Sequence, residues 1–424
     1  MDKFIIDGGI PLKGEVTPSG NKNAALPILS ACILTDQPIV LHNVPDILDV
    51  QTMRALLESL GVIFKTIDTH TWEIKATEIF PAELDPDLCR NIRASILLAG
   101  PMLARSGYII LPPPGGDVIG RRRVDTHILA LQKLGVELEY NRTFTFRCKK
   151  LIGADILLDE ASVTATENAI MASVLAEGKT ILRNAASEPH IQELCLFLNN
   201  LGANIKNIGS NTLEIEGVEK LHGGEFTIGP DYLEVVSFIG AAAITKGEIK
   251  INNAAPHYLD MVKLVFNRLG VDWMIDGDDI LVPPDQELCI EPDLDNAIPE
   301  ISVMPWPAFP TDLMSIAIVV ATQSKGTVLF HDWMYPSRMF FTDKLVSMGA
   351  QIVLCDPHRC IVQGPSHLYA DDMAGPDIRA GMALLLAALS ANGSSTIRNV
   401  QQIDRGYEKI DEKLAALGSS IRRL

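Results

Sequence analysis

Apolar residues fall along this chain in two alternating textures. One is an Ala-rich stretch that is apolar on nearly every helical face: NAALPILSACILTD, RASILLAGPMLARSG, TENAIMASVLAEG, DYLEVVSFIGAAAITKG, TDLMSIAIVVATQSKG and IRAGMALLLAALSANG. A segment apolar all round predicts a helix buried inside a domain rather than one lying on its surface. The other texture has helical period, ends in Leu-Gly or a near variant, and runs into an alternating segment: LLESLGVIFK, LQKLGVELEY, LNNLGANIKN, FNRLGVDWMI, LVSMGAQIVL and LAALGSSIRR. The glycines (Gly61, Gly135, Gly202, Gly270, Gly349 and Gly418) are spaced 74, 67, 68, 79 and 69 residues apart. Glycine between a helical and an alternating pattern predicts a helix C-cap followed by a strand. A short β-like run also follows each buried segment, as in PIVLHNV, YIILPPP, TILRNA, EIKINNA, TVLFHDW and STIRNV.

The chain is therefore one unit repeated six times: strand, buried helix, strand, amphipathic helix, strand, strand. Six buried helices are too many for one core of ordinary size. Two groups of three, each wrapped by sheet, are expected, which makes the fold class α/β (α+β).

Composition narrows the function. The 424 residues carry a formal net charge of −17, with 47 % hydrophobic and 21 % charged residues. That fits a globular protein and argues against a non-specific nucleic-acid binder, so no nucleic-acid partner is expected. An anionic ligand would need a local cluster of Arg and Lys. The 7 cysteines are an odd number without CxxC spacing, which predicts neither a disulfide framework nor a zinc site. The opening MDKFIIDGG lacks a cationic stretch leading into a long apolar one. The longest apolar runs, such as Met382 to Leu389, fall far short of the roughly 20 residues a spanning helix needs. A cytoplasmic protein without membrane association is expected.

Aligning the repeats aligns the charges. Lys22-Asn23, Arg93, Thr166-Glu167, Asp231, Asp312 and Arg379 stand at or near the starts of the buried helices. Asp49, Arg122, Glu188, Arg338 and Arg405 stand before or within the first turn of the amphipathic ones. Arginine opposes the dipole at a helix start, so its recurrence there points to an anionic ligand held by bidentate contacts. The alternative is that each pairs with a local acid. PPPGGDVIGRRR (Pro112 to Arg123) reads as an exposed loop hinged at both ends, with Asp117 near its tip: a mobile lid bringing a carboxylic acid over an anion, or an ordinary connection. Asp312, in PAFPTD, is either a first-turn acid or a general base. The histidines show no ligand spacing, and no metal is expected. GxxxxGK[ST], GxGxxG and GxSxG are absent.

The strings SGNKNAALPIL, GGDVIGRRRVD, PAFPTD and IDRGYEKIDEKLAALG, in this order, resemble those of the UDP-N-acetylglucosamine enolpyruvyl transferases, and the likeness covers essentially the whole chain. Gly20-Asn21-Lys22-Asn23 matches this branch rather than the shikimate-phosphate branch, where a Gly-Ser-Lys-Ser type motif is expected. The resemblance implies a two-domain inside-out α/β barrel of six βαβαββ units, three per domain, with the active site in the cleft between domains. It implies a first domain over 22–230 and a discontinuous second one over 1–21 and 231–424. It implies transfer of the enolpyruvyl group of phosphoenolpyruvate to the 3′-hydroxyl of UDP-N-acetylglucosamine with release of phosphate. The reaction runs through a tetrahedral intermediate, without cofactor or obligate protein partner, as the first committed step of peptidoglycan synthesis.

Position by position, the resemblance makes Lys22, Asn23, Arg122 and Arg405 ligands of phosphoenolpyruvate. It places Asn23, Arg93, Arg122, Arg123, Val124, Asp125, Ser162, Val163, Asp312 and Tyr335 on the nucleotide sugar. Asp49, Arg338, Asp377 and Arg379 become further cleft residues, and Lys22, Asp117 and Asp312 the catalytic ones. Asp117 stands where most members carry cysteine, the residue that fosfomycin alkylates. A carboxyl can still donate a proton but is a poor nucleophile towards an epoxide, so a fosfomycin-insensitive enzyme is expected. Thr164 replaces a family glycine, Arg123 a proline, and DYLEVVSF departs from the usual pattern after Asp231. Two alternatives remain at this stage: a paralogous transferase acting on another acceptor, and a non-catalytic nucleotide-sugar sensor.

Overall fold

The structure is a computed structural model that describes residues 2–80, 83–117, 119–120 and 123–424. It divides into two compact units: Gly20–Asp117 with Arg122–Gly229, and Met1–Ser19 with Val118–Arg121 and Pro230–Leu424. They are called the first and second unit below. Each has its own apolar core, and the two cores share no residue.

The Ala-rich segments form the centre of each unit. In the first these are the helices Lys22–Ala31, Ala99–Ser106 and Val163–Ser173. In the second they are Tyr232–Ile244, Met314–Gln323 and Ile378–Ser390. Small residues let these helices approach closely. A Cβ on Gly240 would come within 3.0 Å of Ile316 Cγ2 and 3.4 Å of Leu386 Cδ2, where the three helices of the second unit meet. Gly100 plays the corresponding part in the first unit, since a Cβ there would lie 2.5 Å from the Asn168 carbonyl oxygen.

Three sheets surround each trio. Five of them share one order: a parallel pair, then two antiparallel strands. In the first unit, Asp155–Leu157 runs parallel to Lys179–Arg183, which pairs antiparallel with Thr212–Glu216 and through it with Asn204–Lys206. The sheet of Tyr108–Leu111, Phe144–Arg147 and Glu137–Tyr140 has three strands, its parallel partner reduced to a bridge between Glu83 and Ile110. The predicted Gly caps are real: Gly61, Gly135, Gly202, Gly270, Gly349 and Gly418 have φ of 95°, 95°, 97°, 83°, 105° and 90°, in the left-handed region that stops a helix cheaply only with glycine.

The chain does not complete its repeats in sequence order. Lys13–Val16 pairs with Glu248–Ile251 of the second unit, while Gly224–Thr227 pairs with Ile39–His42 of the first. The chain thus passes from one unit to the other at Ser19–Gly20 and back at Gly229–Pro230. The Asn21 amide donates to the Gly229 carbonyl, and the Asp231 amide to that of Ser19, both at 2.8 Å. The last repeat is closed by the first strand, Lys3–Asp7, which lies between Ser394–Arg398 and Ser420–Arg423.

Three predicted elements differ. RASILLAGPMLARS begins as a 3-10 turn over Arg93–Leu98 before the Ala99–Ser106 helix. The amphipathic helix after Arg338 is confined to Thr342–Ser347. The last one is split into Gln401–Asp404 and Ile410–Ala416, because Lys409 adopts φ 45° between them and no helix continues through a left-handed residue. Arg338 and Arg405 consequently lie in irregular turns rather than at helix starts. Among the described residues no helix is long and apolar enough to cross a membrane.

Candidate active site

In the second unit, four of the sequence-predicted residues converge. Asp312 lies in the 3-10 turn Thr311–Leu313 at the head of a buried helix. Asp377 caps the next buried helix, accepting from the Arg379 and Ala380 amides at 2.8 and 3.0 Å. Arg379 therefore sits in a first turn held by that cap, and its carbonyl accepts from Ser315 Oγ at 3.1 Å. The two arginines share one carboxylate: Arg338 donates to Asp312 Oδ1 at 2.8 Å, and Arg379 to Oδ2 at 3.2 and 3.3 Å. Their side chains are only 4 % and 6 % exposed, against 29 % for Asp312. Arg338 also lies 4.0 Å from Asp377, and its guanidinium stands 5.4 Å from the Tyr335 ring centre. Burial opposes the charge on both guanidiniums, but the facing acids outweigh it and hold them above the usual arginine range.

Residues that sequence reasoning missed complete this network. The Tyr407 phenol is buried 3.4 Å from Arg379 Nη1 and 3.1 Å from Ser237 Oγ. Burial raises its pKa despite the guanidinium beside it. Asp332 accepts from Thr311 Oγ1 at 2.6 Å and from the Met334 and Tyr335 amides, which fixes the turn leading to Arg338; burial raises its carboxyl above the usual range. Tyr407 was visible in the RGYEK string, next but one to Arg405. Nothing in the sequence marked Asp332. Arg405 itself donates to Gln402 Oε1 at 2.9 Å.

In the first unit, Lys22 opens a buried helix capped by Asn21, which accepts from the Asn23 amide. Lys22 Nζ lies 2.6 Å from Asp49 Oδ2, and both side chains are below 10 % exposed. A second group joins Arg93 Nη2 to the Arg123 carbonyl at 2.7 Å, and Arg123 to Asp125 and Asp159 at 3.0 and 3.2 Å. Val124 immediately precedes the Asp125–Lys133 helix. Ser162 caps the Val163–Ser173 helix by accepting from the Ala165 amide.

Behind them runs a buried chain. The Asn168 amide is oriented by the Gly100 N–H and the Ile96 carbonyl, donates to His127 Nδ1 at 2.9 Å, and so leaves Nε2–H to donate to Thr164 Oγ1 at 3.0 Å. Burial, with Arg93 adding to it, pushes the His127 pKa down to about 3, so the ring stays neutral.

The basic residues do not form a bare cationic cluster: Lys22, Arg338 and Arg379 are each matched to an aspartate, because a buried unpaired charge is too costly, and the exposed Arg123 pairs with Asp125 and Asp159. Nor is the described part of the Pro-Gly loop free. The Gly115 and Gly116 amides donate to the Cys89 and Arg90 carbonyls at 3.0 and 3.3 Å, and a Cβ on Gly115 would meet the Arg90 carbonyl oxygen at 1.7 Å. Asp117, half-buried, ends this pinned stretch. Arg122 lies outside the described residues. Among them, no group of three or more His, Cys, Asp or Glu side chains is placed to hold a metal.

Two trios of buried helices, each wrapped by sheets with one parallel pair at the edge, are the fold of the enolpyruvyl transferases. The EPSP synthase (3-phosphoshikimate 1-carboxyvinyltransferase) family profile matches residues 6–414. The enolpyruvyl transferase NikO from Streptomyces tendae superposes with a TM-score of 0.89 at 24 % identity, covering 100 % of this chain and 99 % of that one. An EPSP synthase from Acinetobacter baumannii gives 0.76 at 17 %, with 100 % of each chain covered. Sequence similarity is much higher to the UDP-N-acetylglucosamine 1-carboxyvinyltransferases of Treponema denticola and Bradyrhizobium diazoefficiens. These are 53 % and 54 % identical, covering 99 % and 100 % of this chain and 99 % and 98 % of theirs. The chain belongs to the UDP-N-acetylglucosamine 1-carboxyvinyltransferase family.

Proposed function

We propose that this enzyme transfers the enolpyruvyl group of phosphoenolpyruvate to the 3′-hydroxyl of UDP-N-acetylglucosamine, in the cytoplasm, as a step of peptidoglycan synthesis. The observation that carries this reading is full-length identity above half to enzymes of that name. Lys22, Asn23, Arg122 and Arg405 hold the phosphate and carboxylate of phosphoenolpyruvate. Asn23, Arg93, Arg123, Val124, Asp125, Ser162, Val163 and Tyr335 serve the nucleotide sugar, while Asp49, Asp377, Arg338 and Arg379 hold the ligating and catalytic groups in place.

In the addition step Asp117 donates a proton to C3 of phosphoenolpyruvate while the 3′-oxygen bonds to C2. Asp312 takes the hydroxyl proton. In the elimination step C3 loses a proton, the C2–O bond to phosphate breaks, and the double bond re-forms. Asp312 suits the base role: Arg338 on Oδ1 and Arg379 on Oδ2 fix the orientation of a carboxylate that is 29 % exposed. Paired in this way, Lys22, Arg338 and Arg379 are oriented before charge develops on phosphate.

Phosphate release assayed with a panel of nucleotide sugars tests the reading. Release dependent on UDP-N-acetylglucosamine supports it. Release only with another acceptor favours a paralogue. Binding without release identifies a sensor. Because a carboxylate opens epoxides poorly, the purified enzyme should resist fosfomycin and Asp117→Cys should become sensitive. Time-dependent inactivation of the parent enzyme contradicts this.

A further inference from the structure

The turn that carries Arg405 and Tyr407 is short, irregular and contains both Gly406 and the left-handed Lys409. Such a segment does not fix side-chain positions by itself. It is flanked by Asp404, the last residue of the Gln401–Asp404 helix, and by Asp411, in the first turn of the Ile410–Ala416 helix. One guanidinium bridges both flanks. Arg423 donates to Asp404 Oδ2 and Oδ1 at 2.8 and 2.7 Å, and to Asp411 Oδ2 and Oδ1 at 3.1 and 3.0 Å. The guanidinium also lies 4.8 Å from the ring centre of Phe4, the residue opposite it in the strand register and itself fully buried. Arg423 therefore projects from the edge strand Ser420–Arg423 and closes the loop 404–411 as a clip. With Asp404 and Asp411 only 21 % and 15 % exposed, the pairing is partly shielded from water.

We infer that Arg423 is a positioning residue that holds the 404–411 turn so that Arg405 and Tyr407 present their side chains in fixed geometry. Arg405 follows Asp404 directly, and Tyr407 reaches Arg379 Nη1 from the middle of the clipped segment. Without the guanidinium, two carboxylates face each other with no counter-charge, and the turn opens. Lysine cannot replace it fully, because an ammonium has only three donors and no planar fork to make two bidentate pairs at once. This inference rests on the reading of Arg405 as a phosphoenolpyruvate ligand.

The test uses the full chain and steady-state phosphate release. Arg423→Met should raise the KM for phosphoenolpyruvate about tenfold or more while the KM for UDP-N-acetylglucosamine stays within about twofold, and Arg423→Lys should fall between the two. If Arg423→Met does not fold, Asp404→Asn and Asp411→Asn added to it remove the repulsion, and the triple variant should still show the one-sided rise. Phosphoenolpyruvate constants within twofold of the parent, or equal losses for both substrates, overturn the inference. Arg405→Met separates the two levels. If it leaves the phosphoenolpyruvate KM unchanged, the role of Arg405 itself is wrong and the clip falls with it; if it raises that KM while Arg423→Met does not, only the clip is wrong.

Discussion

Replacing Asp312 by asparagine tests the centre of the second unit. The shape is kept, but one carboxylate oxygen becomes an amide NH2, and that donor then faces the donors of a buried guanidinium. Breaking a buried ion pair costs about 3–5 kcal/mol. Asp312 is 29 % exposed, so water takes over part of its role and the loss should be roughly 2–4 kcal/mol. For a unit of this size each kcal/mol moves the midpoint by about 2–4 °C, which gives a fall of roughly 4–16 °C. If Asp312 is the base proposed above, its removal should separately lower kcat by about 10²–10⁴-fold. The KM for phosphoenolpyruvate should stay within about threefold. Differential scanning fluorimetry and phosphate release read the two effects on the same preparation. A kcat within threefold of the parent would show that Asp312 only neutralises Arg338 and Arg379. An unchanged midpoint would refute the reasoning that these buried guanidiniums depend on it.

The Lys22–Asp49 pair yields a second expectation. Lys22→Ala should cut kcat/KM for phosphoenolpyruvate at least a hundredfold and destabilise the first unit, since the buried Asp49 loses its ammonium counter-charge, whereas Asp49→Asn should lose less activity. A loss below threefold for Lys22→Ala would make it peripheral. Stability should also respond to pH through two buried groups of the first unit. Burial, reinforced by Glu188, raises the Glu167 carboxyl well above its usual range. Its contribution is therefore complete below the unfolded value of 4.5 and is lost as pH rises. Glu167→Gln should accordingly stabilise increasingly as pH rises above about 4.5, by at most about 1.4 kcal/mol per unit, and hardly at all near pH 4. His127 works in the opposite sense, contributing fully above 6.5 and losing it as pH falls towards about 3, so the two slopes oppose each other between 4.5 and 6.5. A difference between Glu167→Gln and the parent that does not change with pH would contradict this account.

The repeat was legible because its signals are local. Six glycines adopt the left-handed geometry that their position between helix and strand required, and the Ala-rich segments are buried because no face is polar. The placing of Lys13–Val16 in the second unit and Gly224–Thr227 in the first was implied only by the resemblance, since each strand looks like any other in its own sequence. The charges were found, but not their pairing. Asp312 and Arg379 are 67 residues apart, and the sequence gives no sign that one carboxylate serves two arginines. The split of the last helix was half visible in Gly406, while the left-handed Lys409 carries no signal of its own. His127, Asn168 and Thr164 form a chain only because two helices cross, so each polar residue taken alone gave no hint of it.

The most direct measurement is the reaction run in deuterated water with phosphoenolpyruvate and UDP-N-acetylglucosamine, with the products followed by NMR. The account predicts phosphate in step with a 3′-enolpyruvyl ether of the nucleotide sugar, with deuterium at the vinyl carbon because C3 is protonated and then deprotonated. Phosphate accompanied by pyruvate and unchanged nucleotide sugar, or an ether free of deuterium at that carbon, would contradict it.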